Sequence, residues 1–193
     1  QIPSDLSYVR RVILPMGVGG ETVKYLKDKK IQPAVEVPAA IFGGDDAVYN
    51  SLVKARKSGI SLAAVCSLDG AAIAKKAGMK LCALPGTNIF NTFSLDEFAR
   101  LGFTDAILST ELKIAQCVSL GGKLPRGVFA YGRLPLMQTR NCPVKNGTTC
   151  DKCRKHGSLT DRMGVTFPVE CTPFASTLLN SVPIVESDKR EQF

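Results

Sequence analysis

Four of the seven cysteines lie close together in the C-terminal part of the chain, at Cys142, Cys150, Cys153 and Cys171. Their spacing is C-x7-C-x2-C-x17-C, and a Cys-x2-Cys pair lets two thiolates bind one ion or one cluster from a single turn of the chain. Four thiolates hold a zinc ion tetrahedrally, or they hold a 4Fe–4S or 2Fe–2S cluster. The spacing therefore predicts a metal or iron–sulfur site without deciding between the two.

The surroundings of these cysteines suit an anionic metal centre. Positive charge lowers the pKa of a neighbouring thiol and offsets the charge of bound thiolates; the basic residues nearby are Arg140, Lys145, Lys152, Arg154 and Lys155. His156, the single histidine, follows Cys153 by three positions and is a further candidate zinc ligand. A hydrolase triad would have to use His156 or a histidine outside this chain, and the sequence contains no His-Glu-x-x-His zinc motif.

The other three cysteines, Cys66, Cys82 and Cys117, are lone residues inside apolar runs. Buried free thiols of this kind are usual core residues in a reducing compartment. An odd cysteine count and a clustered foursome favour metal binding over disulfides, so we expect a cytoplasmic protein. No apolar run approaches the roughly 18 residues of a membrane span, so no membrane partner is expected.

The formal net charge is +8 over 193 residues. A surplus of lysine and arginine attracts polyanions, so RNA is a candidate partner, and a basic surface without a nucleic-acid role is the alternative. If RNA binds, the arginines and lysines that flank the cysteines are expected to contact its phosphates.

A repeat of about 23 residues predicts the fold. Each unit is a short apolar run followed by an amphipathic segment, as expected for strands buried on both faces of a parallel sheet and the helices that connect them. The predicted strands lie at 12–14, 34–37, 62–66, 80–84, 106–108 and 127–131. The predicted helices lie at 20–30, 45–57, 68–77, from a serine cap at Ser94, and 111–120.

Six alternating units indicate an α/β fold, either a doubly wound open sheet or part of a (β/α)8 barrel. The spacing favours a partial TIM-like barrel, because eight such units need roughly 250 residues. We expect residues 1–131 to form about six parallel strands of the barrel, and residues 132–193 to form a cysteine-rich appendix with one strand near 165–170. The chain begins at Gln1, so two units are expected upstream, and the open edge is covered by that N-terminal part, by a second copy or by the appendix.

Function in a barrel lies at the C-terminal ends of its strands, where four polar residues are candidates. Glu111 is a candidate general base or ligand of a substrate hydroxyl, and Arg133 a candidate clamp for a carboxylate or phosphate. Asn88 and Asn91 follow the fourth strand. The structural alternatives are a turn at Asn88, a helix cap at Asn91, and a first-turn acid at Glu111 that only complements a helix dipole.

The segment from Phe129 to Val144 resembles the cysteine motif of the peptidase U32 family, which runs Phe-x-x-Gly, a small residue, an aliphatic residue, Cys, and a second Cys seven places on. Gly132, Leu134, Cys142 and Val144 fit this motif, whereas Arg133 replaces the small residue and Pro135 the first cysteine. Asn88–Asn91 is similar to the family's Asn-x-x-Asn, and 108–112 resembles its Arg-Glu-Leu segment with Thr110 in place of arginine. Downstream, 159–162, 167–169 and 179–181 are similar to the long forms of the family.

The resemblance implies a (β/α)8 barrel with an iron–sulfur cluster, expected to be 4Fe–4S, in which Cys150 takes the place of the absent first cysteine. Some family members are collagenase-like peptidases; others take part in oxygen-independent hydroxylation of tRNA, of large-subunit ribosomal RNA or of the ubiquinone ring, with prephenate implicated for the RNA-modifying ones. We therefore expect a protein that takes part in RNA hydroxylation, on ribosomal RNA first and tRNA second. The alternatives are a collagenase-like peptidase and a non-catalytic binding module stapled by zinc.

Overall fold

Six short strands pair side by side, in chain order and all in parallel, into one sheet. The computed structural model describes residues 5–145, 147, 149–153 and 156–186. The strands are β1 (Arg11–Leu14), β2 (Gln32–Glu36), β3 (Leu62–Val65), β4 (Lys80–Ala83), β5 (Phe103–Ile107) and β6 (Arg126–Gly127). The prediction of parallel strands from short, non-alternating apolar runs is confirmed, although β6 ends at Gly127, before the predicted Tyr131.

Five helices connect these strands and cover one face of the sheet, where the main apolar core forms. They are α1 (Gly20–Asp28), α2 (Asp45–Lys57), α3 (Leu68–Lys76), α4 (Thr92–Arg100) and α5 (Ile114–Ser119). Leu26, Val48 and Leu52 are among the fully buried helix residues, and they pack against strand residues such as Val35 and Val65. None of the described helices is long and apolar enough to cross a lipid bilayer.

Two helix starts differ from the predictions. The predicted serine cap at Ser94 is wrong, because α4 begins at Thr92 and its N-cap is Asn91. Ser94 is the third residue of the helix, and its side chain completes a capping box with Asn91. Helix α5 begins at Ile114, so Glu111 precedes the helix and does not lie in its first turn, where it would complement the helix dipole.

The opposite face of the sheet is concave, and an ion pair across it shows how strongly the sheet curls. Arg11 of β1 donates two hydrogen bonds, of 2.6 and 2.8 Å, to the carboxylate of Asp105 in β5. In a flat sheet these strands would lie four strand spacings, about 19 Å, apart, which is beyond the reach of the two side chains. The six strands therefore form a curled half-barrel.

A second, antiparallel sheet follows the half-barrel. Four of its strands pair in the order β8-β11-β10-β9 and are called the C-terminal sheet, while β7 and β12 pair separately. These elements are β7 (Tyr131–Gly132), β8 (Pro135–Thr139), α6 (Cys150–Cys153), β9 (His156–Thr160), β10 (Thr166–Cys171), β11 (Ser176–Leu179) and β12 (Ile184–Val185). The sequence predicted one strand in this region, which is β10.

The tip of the β10–β11 hairpin packs on the half-barrel. The ring of Phe174 contacts Gly44, just ahead of α2, and a Cβ at Gly44 would lie 3.0 Å from that ring. Phe174 joins the main core at its margin, together with Ile41 of the loop after β2. The C-terminal sheet is thereby held beside the carboxyl end of β2, at the mouth of the half-barrel.

Candidate metal and substrate site

Two of the four clustered cysteines meet through the pairing of the C-terminal sheet. Ser176 of β11 pairs with Cys171 of β10 on one side and with Thr139 of β8 on the other. Cys142 follows Thr139 by three residues, so the sheet brings together two cysteines that are 29 positions apart in sequence. The two Sγ atoms lie 3.9 Å apart, and the Ser176 hydroxyl lies 3.3 Å from the Cys171 sulfur.

The Cys142 sulfur occupies a turn that favours its thiolate form. The backbone N–H of Val144 donates to Cys142, and this bond, with smaller contributions from Cys171, Ser176 and the N–H of Lys145, lowers the pKa of the Cys142 thiol. Amide donors of this kind stabilise a metal-bound thiolate in the same way as a free one, because both carry negative charge on sulfur. The geometry around Cys142 is therefore suited to a ligand.

Cys171 has the opposite tendency. Burial is the main reason that the pKa of its thiol is raised, and the charges of Cys142 and Cys153 raise it further. Since neighbouring thiolates repel one another, the pair of sulfurs gains stability when a cation joins them.

Cys150 and Cys153 lie at the two ends of the short helix α6. Cys150 is exposed, and the Cys153 thiol donates to the Cys150 carbonyl at a sulfur–oxygen distance of 3.7 Å. Within the described residues, no three or more Cys, His, Asp or Glu side chains are close enough to form a closed metal site. The structure thus brings Cys142 and Cys171 together, whereas Cys150 and Cys153 lie at the two ends of α6; Arg154, Lys155 and the side chain of His156 lie outside the described part of the chain.

The donor set fits a thiophilic metal by its chemistry. Thiols are the ligands that zinc and iron–sulfur clusters take from proteins. Two thiolates on one tetrahedral zinc ion, each about 2.3 Å from the metal, lie about 3.8 Å apart, close to the 3.9 Å between Cys142 and Cys171. A 4Fe–4S cluster takes one thiolate per iron and would require this pair to open, whereas one iron of a 2Fe–2S cluster takes two thiolates at about this spacing.

Glu111 lines a cleft of about 470 Å³ beyond the ends of β5 and β6. Its walls are largely apolar, with Val128 and Phe129 from the segment after β6 and Ile184 from β12; Lys113 and Glu186 add charge to the lining. A volume of this size accommodates a small molecule, and an apolar cavity with a few charged groups is typical of ligand sites. Lys113, Phe129, Ile184 and Glu186 did not stand out from the sequence, because three different chain segments supply them.

Asn88 lies beside the base of this cleft. The Ser109 hydroxyl donates to the Asn88 side-chain oxygen at 2.5 Å, and the N–H of Glu111 donates to the same hydroxyl at 3.3 Å. Asn88 has φ 52°, a left-handed conformation that asparagine tolerates better than most residues. Asn88 therefore forms a turn, as the structural alternative predicted, and it also holds the segment that carries Glu111.

The two remaining candidates have structural partners. The Asn91 side chain accepts the N–H of Ser94 at 2.8 Å as the cap of α4. Arg133 donates to the backbone carbonyls of Asn180 and Ser181, joining the segment after β7 to the end of β11. Asn91 and Arg133 thus contact neighbouring chain segments, while Glu111 is the candidate that faces a cavity.

The concave face carries further thiols and carboxyls that reach the mouth. Burial, and then the charge of Glu36, raise the pKa of Cys66 to about 11; burial, and then Asp105, raise that of Cys82 to about 11. Burial, followed by the charge of Glu170 in the C-terminal sheet, also raises the pKa of Glu36. Cys82 and Cys117 are buried as predicted, whereas Cys66 is half-buried at the mouth.

Comparison with protein-family models, with curated proteins and with solved structures gives no match to this chain. The resemblance to the U32 family therefore remains a prediction that rests on the motifs in the sequence.

Proposed function

We propose that this chain is part of a U32-like iron–sulfur protein of the cytoplasm that takes part in oxygen-independent hydroxylation of RNA, with ribosomal RNA favoured over tRNA. In this proposal the half-barrel is part of a (β/α)8 barrel, and the C-terminal sheet belongs to a cysteine-rich appendix. Cys142, Cys150, Cys153 and Cys171 hold the cluster, which supplies electron transfer when bound.

The observation that carries the proposal is the meeting of Cys142 and Cys171 beside the mouth. Cys171 lies in β10 and Cys142 in the segment after β8, and their sulfurs lie 3.9 Å apart. The neighbouring Glu170 is close enough to Glu36, at the end of β2, to raise its pKa. A thiol pair next to the substrate end of a half-barrel suits a redox centre better than a remote structural staple.

The cleft beside Glu111 supports a small-molecule step at the same end of the half-barrel. Lys113 is the cation in its lining that would meet a carboxylate of a compound such as prephenate, and Glu111 is the carboxylate that would accept a proton from a hydroxyl. Asn88 and Ser109 hold the Glu111 backbone in place. These residues bind and orient; the redox chemistry belongs to the cluster.

A zinc-stapled binding module is the second candidate, favoured by the spacing of the sulfurs. The distance between Cys142 and Cys171 matches two thiolates on one tetrahedral ion. In that case the metal would stabilise the C-terminal sheet and take no part in a reaction.

Metal analysis of anaerobically purified full-length protein decides between the two candidates. A cluster gives iron, acid-labile sulfide and visible absorption; a staple gives about one zinc per chain and a colourless protein. Cys171→Ser should remove the metal in either case, while Cys66→Ser, which changes a thiol on the concave face, should retain it. Full metal retention in Cys171→Ser would contradict both candidates.

Nucleoside mass spectrometry tests the reaction. A strain that lacks the full-length protein should lose one hydroxylated nucleoside from ribosomal RNA or tRNA, and the wild-type gene should restore it. Glu111→Gln should fail to restore it while keeping the metal, whereas Glu21→Gln, a matched change in the first turn of α1, should restore it. An unchanged RNA profile, together with Glu111-dependent cleavage of a peptide by the pure protein, would establish the peptidase instead.

A further inference from the structure

Basic residues collect at the ends of three consecutive helices of the half-barrel. Helices α1, α2 and α3 each have acidic residues in the first turn and basic residues in the last. Because the helices run antiparallel to the strands they follow, their C-terminal ends all lie at the edge of the sheet opposite the mouth. Two exposed cations from each helix end define what is here named the basic belt: Lys27, Lys29, Arg56, Lys57, Lys75 and Lys76.

The belt is continuous, because one side chain from each helix reaches across to the next turn. The Lys27 ammonium lies over Gly59, in the turn after α2. Arg56 donates to the carbonyl of Ala77, in the turn after α3, at 3.5 Å. Lys75 donates to the carbonyl of Leu101, in the turn after α4, at 3.4 Å. These three contacts link each helix end to the turn after the next helix along the outer rim.

No belt residue forms an ion pair within the described residues, although Asp28 stands between Lys27 and Lys29 in the sequence. The ion pairs of that part of the chain are Arg11–Asp105 and Arg100–Glu97, and neither includes a belt residue. Complementing the helix dipole accounts for a cation in a last turn, but it acts over that turn alone. Lys29, the C-cap of α1, lies at the end of that range, and the dipole does not offset the repulsion between like charges at adjacent helix ends.

We propose that the basic belt binds the phosphate backbone of a double-helical segment of folded RNA, without reading its sequence. This inference rests on the proposed function, since it names the surface that would hold the RNA. Packed helices lie 8–10 Å apart, so three helix ends span roughly 20 Å. Over that length a nucleic-acid duplex presents about twelve phosphates, at one per ~1.7 Å, which is ample for six cations.

The belt lies at the opposite edge from the cleft. The strands have four or five residues at about 3.3 Å each, so belt and mouth are separated by roughly 15 Å along the strands. A folded RNA can span this distance. Its double-helical segment binds the belt, while an unpaired nucleotide from another segment reaches the mouth. The belt therefore supplies affinity, and the mouth supplies the choice of nucleotide.

The test is the salt dependence of binding to a 24-base-pair RNA duplex of arbitrary sequence, measured with the full-length protein. The triple variant Lys29→Gln, Lys57→Gln, Lys76→Gln removes three belt charges that make no hydrogen bond to backbone. If each contacts one phosphate, the slope of log K against log salt should become less negative by about 2.7 and the Kd at 0.1 M salt should rise about a hundredfold or more. The loss should be the same for duplexes of unrelated sequence.

The control double variant Lys24→Gln, Arg162→Gln removes two exposed charges that lie outside the belt and away from the cysteines, in the middle of α1 and in the turn between β9 and β10. Its slope should stay close to that of the wild type. The inference is overturned if the control lowers the slope as much as the belt variant, if wild-type protein does not bind the duplex at 50 mM salt, or if poly-glutamate competes as well as RNA of equal charge. If the belt variant has the less negative salt slope but a strain lacking the protein keeps its nucleoside profile, the basic belt stands and the proposed reaction is refuted. The failures of the two proposals are therefore distinguishable.

Discussion

The ion pair between Arg11 and Asp105 is predicted to stabilise the curl of the half-barrel, and Asp105→Asn tests this. Asparagine keeps the size of the side chain but removes the charge that meets the guanidinium in two hydrogen bonds of 2.6 and 2.8 Å. Arg11 would keep its bond to Gln32, at 3.0 Å, and would otherwise lose its partner on the far side of the concave face.

The magnitude follows from partial burial. Breaking a buried pair costs about 3–5 kcal/mol, and an exposed pair is worth about 0.2–1 kcal/mol. The two side chains are 29% and 21% exposed, so water screens the pair in part, and we expect a loss of about 2 kcal/mol. With an m-value of about 2–3 kcal/mol/M, the urea midpoint should fall by about 0.7–1 M at unchanged m.

Equilibrium urea unfolding, followed by circular dichroism, measures this loss. The matched control is Arg100→Gln, which breaks the ion pair with Glu97 on the surface of α4, where the side chains are 72% and 49% exposed. Its midpoint should not move measurably, because water screens that pair. Equal midpoints for Asp105→Asn and the wild type would show that the ion pair does not hold β1 to β5.

Three further outcomes follow from the structure. In reduced, metal-free protein at pH 8, iodoacetamide should alkylate Cys142 well before Cys66. A pKa of about 11 leaves roughly 0.1% of Cys66 as thiolate, whereas the lowered pKa of Cys142 leaves more than about a tenth of that residue as thiolate. Peptide mass spectrometry that finds Cys66 alkylated faster would refute this. Gly86→Ala should lower the free energy of unfolding in urea by about 1–3 kcal/mol, because the new Cβ would lie 2.8 Å from the Cys66 Cβ. Gly20→Ala, at the first residue of α1 with nothing within 4 Å, should not destabilise the protein. Asn91→Ala removes the cap of α4, so it should lower the free energy of unfolding by about 1 kcal/mol and the Tm in calorimetry by about 2–4 °C. An unchanged Tm would mean that the capping box contributes nothing to stability.

The half-barrel could be predicted from the sequence because its signals are local. Apolar runs of four or five residues, buried on both faces, recur between amphipathic segments, and the acidic start and basic end of α2 mark the ends of that helix. The missed starts of α4 and α5 have local causes too. Asn91 and Ser94 are both good cap residues, and only the backbone path decides which one caps α4. Leu112 and Lys113 lie between Glu111 and the first residue of α5, so the charge of Glu111 precedes that helix.

Most strands of the C-terminal sheet could not be predicted from the sequence. Pro168 lies in β10, which has a partner on each side, although proline usually argues against a central strand. Strand β9 is largely polar, and β11 has only four residues, so neither shows a clear alternation. Cross-strand pairing, which involves residues far apart in sequence, is what stabilises these segments.

The sequence by itself determined the residue types that chemistry requires, namely four clustered thiols, an acid after β5 and a surplus of positive charge. Only the tertiary structure decided which of them meet. The shared partner strand β11 brings Cys142 to Cys171, and three separate segments close the cleft around Glu111. The parallel arrangement gathers the cations of three helix ends onto one edge, although they are spread along the chain. Distance in space depends on strand pairing and sheet curvature, and these are set by packing over the whole chain and not by the spacing of any one motif.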